Sequence, residues 1–176
     1  MKRSLSLWQF AGFVFTSVVG TLLHFAYEWS GESVFLAPFS AVNESIWEHM
    51  KLLFFPLVIF ALWQGHFFEK EYPSYWCVKL FGTLLGIGLI PVLYYTYTGI
   101  FGVSVDSVNI TIFFVVAAIV YLLETRWLRD RKTGTLSKRF VWLIFLALTI
   151  LFAVFTFYPP SIPLFVDPQA TKQPYA

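Results

Sequence analysis

Five stretches of this chain are too long and too apolar to be buried anywhere but in a bilayer. They span about 5–27, 43–67, 75–97, 105–123 and 140–158. A helix rises about 1.5 Å per residue, so about 20 apolar residues cross the hydrocarbon layer. Inside that layer the backbone must satisfy its own polar groups, which helices do. Charged residues make up 12% of the 176 and hydrophobic residues 58%, whereas a soluble domain carries about 25% charged residues. A soluble chain of this size would have no interior large enough for so much apolar surface. The fold class expected is all-α, a polytopic membrane helical bundle of about five transmembrane helices. It forms a single domain over residues 1–176, with residues 159–176 as a tail.

The basic residues give the expected orientation. With the N-terminus cytoplasmic, ten of the twelve Lys and Arg fall on the cytoplasmic side: Lys2, Arg3, Lys70, Lys79, Arg126, Arg129, Arg131, Lys132, Lys138 and Arg139. Only Lys51 and Lys172 fall opposite, which is the positive-inside pattern. An odd number of spans makes the C-terminus and the tail extracytoplasmic. Lys2 and Arg3 resemble the start of a signal peptide, but the apolar run after them is too long and lacks a cleavage site, so it reads as a retained first span. The stretch 126–139 is the most basic and is expected to meet anionic lipid headgroups. With its basic charge placed by topology, the chain has no expected nucleic-acid partner. The single Cys77 excludes an intrachain disulfide framework and a cysteine-based zinc site.

Other residues punctuate the spans. Gly82 and Gly86 form a small-xxx-small pair that admits a neighbouring helix. Pro56 is expected to kink the second span, and Gly88 with Pro91 to bend the third. Tyr94, Tyr95, Tyr97 and Trp29 read as an outer aromatic belt, Trp127 and Trp142 as an inner one. Residues 33–42 are apolar but too short to cross, so they read as an interfacial or re-entrant piece. The inner halves of the spans look apolar apart from Gln64 and Thr83. No internal repeat is visible, although a homo-oligomer could supply symmetry.

Ionisable residues within spans are costly and mark candidate sites. They gather at the outer ends of the first two spans. His24 and Glu28 are four apart and share a helix face. The second helix is expected to start near Asn43, which puts Glu44, Glu48 and Lys51 within about 60° of one another, with Trp47 flanking and His49 on the neighbouring stripe. Asp106 and Asn109 begin the fourth span at the same level, and Asp167 lies in the tail. The ligand-binding set is therefore His24, Glu28, Asn43, Glu44, Trp47, Glu48, His49, Lys51 and Asp106. The leading reading is a site that binds or translocates a small solute or ion, with Glu44 and Glu48 as paired carboxylates and no cofactor. The alternative is a membrane-embedded metal-dependent hydrolase acting on lipid, with zinc held by His24, Glu44, Glu48 and His49. That spacing matches no standard zinc motif. His66 lies about 25 Å further along its helix, so at most two histidines meet, whereas membrane hydrolases of the ceramidase kind use three. A structural or accessory subunit, in which Asn43 caps the helix and Glu48 pairs with Lys51, is the third reading. The residues lean against an enzyme.

The run Asn43-Glu44-Ser45-Ile46-Trp47-Glu48-His49-Met50-Lys51 resembles the signature of an uncharacterised family of short multi-pass bacterial membrane proteins. His24-x-x-Tyr27-Glu28-Trp29-Ser30-Gly31, Tyr94-Tyr95-Thr96-Tyr97-Thr98-Gly99 and the tail from Tyr158 to Pro168 are similar to its pattern too. The family's tail continues with a Thr-Gly-x-Tyr-Gly type sequence, from which Thr171-Lys172-Gln173-Pro174-Tyr175 departs. The resemblance implies a bacterial inner-membrane location. It implies no activity, and it carries no catalytic residue across.

Overall fold

The computed structural model describes residues 4–130 and 134–168. They form five helices: α1 (Leu5–Trp29), α2 (Ile46–Phe68), α3 (Tyr75–Phe101), α4 (Asp106–Asp130) and α5 (Lys138–Phe157), with a single 3-10 turn at Pro163–Phe165. No strand occurs among the described residues. Each helix is long and apolar enough to cross a bilayer, and the chain is a multi-pass membrane protein. The end of the bundle where α1, α3 and α5 begin is termed proximal here, and the other end distal.

Helix starts follow local capping chemistry. Ser4, Ser45 and Ser137 each accept a hydrogen bond from a backbone N–H three residues on, which satisfies one of the free donors of a first turn. The cap of α2 is thus Ser45 rather than Asn43, whose Oδ1 instead accepts from Ser45 N at 2.9 Å. Glu44 consequently lies outside the helix. Helix α3 ends at Gly102, which takes the left-handed conformation (φ 70°) that glycine adopts without strain. Helix α4 runs on to Asp130, so Arg126 and Arg129 of the basic stretch sit on a helical turn rather than in a loop. Arg131 and Lys132, the tail beyond Pro168, Lys2 and Arg3 lie outside the described residues.

Helix α2 is the hub. Of its most apolar stretch 72% is buried, against 17% for α1 and for α5, and it touches all four other helices. Helix α1 is inside-out by the standards of a soluble protein. Leu7, Phe10, Val14, Val18, Leu22 and Phe25 face outward, while the buried stripe is Gln9, Gly12, Thr16 and Gly20. Lipid tails are as apolar as any core, so close backbone approach rather than apolar burial selects the inward face. A Cβ at Gly20 would lie 2.8 Å from the Leu52 carbonyl oxygen. The expected small pair in α3 works in the same way: a Cβ at Gly86 would lie 2.9 Å from Val120, and one at Gly82 would lie 2.5 Å from Glu124 Oε1. Pro56 and Pro91 lie within helices that continue through them.

Residues 33–42 fold into short turns over the distal end. Ser40 accepts from Tyr27 N at 2.9 Å and donates to the Leu23 carbonyl, fastening the segment to α1. Val34 and Phe35 stay exposed at its tip, as an interfacial segment requires.

Candidate polar site at the distal end

Three side chains from separate parts of the chain converge at the distal end. His24 comes from the last turns of α1, Glu44 from the loop and His49 from the first turn of α2. His24 Nε2 lies 3.6 Å from Glu44 Oε1, and His49 Nε2 lies 3.6 Å from Glu44 Oε2. One donor atom from each of the three falls within 4.8 Å of the others, in a partly buried setting. These separations exceed a hydrogen bond. His49 Nδ1 is 2.9 Å from the Ser45 carbonyl oxygen, so Nδ1 donates there and Nε2 is the nitrogen turned towards Glu44. His24 Nδ1 is buried without a partner.

Beside the cluster a cavity of about 160 Å³ lies between α1, α2 and α4, with Thr21, His24, His49 and Asn109 as polar residues in a wall that is otherwise Gly20, Phe113 and other apolar residues. Asn109 is held by Tyr97, which donates to its Oδ1, and by Ser104 at 3.2 Å from its Nδ2.

The other expected ligands are placed elsewhere. Glu48 and Lys51 do not join the histidines. They form a buried ion pair at 2.6 Å, in which Lys51 also donates to the Ala37 carbonyl at 2.8 Å and to Thr156 Oγ1 at 2.7 Å. Glu48 Oε2 also accepts from Val42 N at 3.0 Å. All three protons of Lys51 are thereby used, and the pair ties the loop and α5 to α2. The pairing of Glu44 with Glu48 on one face fails because Glu44 precedes the helix. Trp47 packs against Phe152, Phe155 and Phe165, which pins α5 and the tail. Asn43, Glu28 and Asp106 are exposed and are not part of the three-residue group, although Glu28 lies near enough to His24 to act on it by charge.

A second polar cluster, at the proximal end, escaped the sequence reading. Lys79 of α3, expected among the cytoplasmic flanking charges, is buried and paired with Glu124 of α4 at 2.5 Å. It also donates to Gln9 Oε1 of α1 at 3.3 Å and lies 5.6 and 5.3 Å from the ring centres of Tyr75 and Tyr121. The Tyr121 hydroxyl meets Thr16 at 2.9 Å, and that of Tyr75 donates to the Ala61 carbonyl at 2.7 Å. Gly82 is what makes room for the Glu124 carboxyl. The signal in the sequence was a lysine and a glutamate inside apolar runs at the same depth, 45 residues apart. At the surface nearby, Glu69 accepts from Trp76 Nε1 and Lys138 Nζ, both at 2.7 Å. Hydrogen bonds from Lys138 and Trp76 hold the Glu69 carboxyl below its ordinary range.

The chain belongs to a family of unknown function, DUF6512, which it matches over residues 1–174. No curated protein and no solved structure matches it.

Proposed function

We propose that this member of a family of unknown function binds a divalent transition-metal ion, zinc foremost, through His24, Glu44 and His49. The observation that carries the reading is the convergence of two imidazole nitrogens and one carboxylate within 4.8 Å from three separate segments. Two histidines and a glutamate are a set used by open zinc sites, in which three protein ligands leave a fourth position free. Bonds of about 2.0–2.1 Å in a tetrahedron put ligand atoms roughly 3.3 Å apart, so a set that lies within 4.8 Å closes by up to about 1.5 Å around an ion. The Ser45 carbonyl fixes the His49 tautomer with Nε2 free, the second-shell arrangement that metal-binding histidines use.

Binding fits better than translocation. Leu53, Ile87, Val116 and Ala117, in the middle of the bundle, are buried and apolar, so they offer an ion no ligands. For lipid hydrolysis Glu48 is not a free base, because it is committed to Lys51. With the basic proximal end cytoplasmic, the site faces the extracytoplasmic side of a bacterial inner membrane, and Arg126 to Arg139 meet anionic headgroups.

Zinc titration of the protein in lipid nanodiscs tests the proposal. One zinc per wild-type chain is expected, with binding lost in Glu44→Gln and His49→Ala. Wild-type protein that takes up no zinc, or a His24→Ala/His49→Ala double variant that binds as well, overturns it. Zinc entry into proteoliposomes should match that into empty vesicles.

A further inference from the structure

The cavity beside the histidines indicates what fills the metal's free position. We infer that a long-chain fatty carboxylate enters sideways from the bilayer between α1 and α4, its headgroup completing the metal's coordination and its chain lying in the cavity. The inference rests on the metal reading above.

Three observations carry it. First, the cavity opens through the lipid-facing side of the bundle. Its lining includes Phe25 and Thr21 of α1 and Ile110 of α4, and Phe25 and Ile110 are 39% and 59% exposed on the outer surface. A ligand drawn from the bilayer can reach the site without crossing water. Second, the cavity is mainly apolar. Its polar residues are His24, His49, Asn109 and Thr21, the Thr21 hydroxyl is spent on the Ser17 carbonyl at 2.8 Å, and the remainder is Gly20, Phe113 and similar apolar surface. A volume of about 160 Å³ is close to that of an engineered apolar cavity of about 150 Å³ that binds benzene. It therefore holds roughly six carbons of a chain, and the rest of the chain lies against the exposed apolar residues of α1. Third, the charge is unbalanced. A divalent ion with one carboxylate and two neutral imidazoles carries a net single positive charge, which is costly in a partly buried, low-dielectric setting. An anionic oxygen ligand removes that charge, and a neutral headgroup does not.

Cobalt in place of zinc makes the free position visible, because the visible absorption of cobalt changes with its ligands. Cobalt-loaded protein in phosphatidylcholine nanodiscs is titrated with hexadecanoate and, separately, with acetate. Hexadecanoate should change the spectrum saturably, and acetate at the same concentration should not. Thr21→Trp and Ile110→Trp, on opposite lips of the opening, should each weaken the hexadecanoate response by at least about tenfold, the loss expected when two or more buried methylenes are displaced. Neither position is a metal ligand, so cobalt uptake should be unchanged. Cobalt that binds but ignores hexadecanoate overturns the inference and leaves the metal reading intact. An equal response to acetate, or an undiminished response in both lip variants, overturns it in the same way. Protein that takes up no cobalt overturns both.

Discussion

The two ends of the bundle treat buried charge differently. At the proximal end Lys79 and Glu124 form a closed ion pair, which a bond from Lys79 to Gln9 Oε1 extends to join α3, α4 and α1, with Gln9 Nε2 left unpartnered. At the distal end a similar closed pair, Glu48 with Lys51, sits beside an open one. There His24, Glu44 and His49 approach without completing hydrogen bonds, and His24 Nδ1 has no partner. Closed pairs hold helices together, because a charge taken into an apolar interior must be matched where it lies. An open set of donors, partly exposed and next to a cavity, holds nothing by itself. The difference separates architecture from a site.

The proximal pair gives the largest expected effect. Lys79→Met leaves Glu124 uncompensated and should cost about 3–5 kcal/mol, read by unfolding in detergent micelles. The Lys79→Met/Glu124→Gln double variant should regain most of it. If the single variant is as stable as wild type, the closed pair is not what fastens α3 to α4. Lys51→Met should act in the same way but more weakly, by about 2–3 kcal/mol, since Glu48 keeps its bond from Val42 N. That change should also loosen residues 33–42, seen as faster amide exchange there. Gly82→Ala pushes a methyl against Glu124 and should cost about 1–3 kcal/mol. At the open cluster, Glu44→Gln should leave stability within about 0.5 kcal/mol of wild type while zinc uptake disappears. A large stability loss there would make the cluster one more structural clasp.

The smallest effect concerns the surface bridge of Glu69, Trp76 and Lys138. Its carboxyl is held low in the folded protein, so the unfolded chain binds the extra proton first. The contribution is therefore present above the ordinary carboxylate value and lost as pH falls through the lower folded value. Solvent screening limits it to roughly 0.5 kcal/mol. Glu69→Gln should flatten that acid limb, and comparing the melting temperatures of the two proteins from pH 6 to pH 3 would detect it.

Membrane class and helix count were legible because length and apolarity decide them with little reference to packing. Rotation about each helix axis was not. Most sides of α1 are tolerable in lipid, so its inward face is marked by Gln9, Gly12, Thr16 and Gly20, a signal of polarity and small size rather than of apolarity. Lys79 looked like a flanking charge because it sits four residues into α3, and its partner Glu124 belongs to another helix. The distal cluster was half legible. His24, Glu44 and His49 were all among the candidates, but placing the helix start at Asn43 instead of Ser45 put Glu44 on a face with Glu48. A shift of two residues in one cap decided which carboxylate meets the histidines. The tie from Lys51 to Ala37 and Thr156 depends on a loop fold and on a residue 105 positions away, which no local pattern encodes.

The central claim is that the open distal cluster is a metal site, and X-ray absorption at the zinc edge of zinc-loaded protein tests it most directly. The expected first shell is two imidazole nitrogens and light oxygen donors at about 2.0–2.1 Å, and His49→Ala should retain no zinc. A shell containing sulfur from Cys77, a shell without imidazole, or wild-type protein that retains no zinc would contradict it.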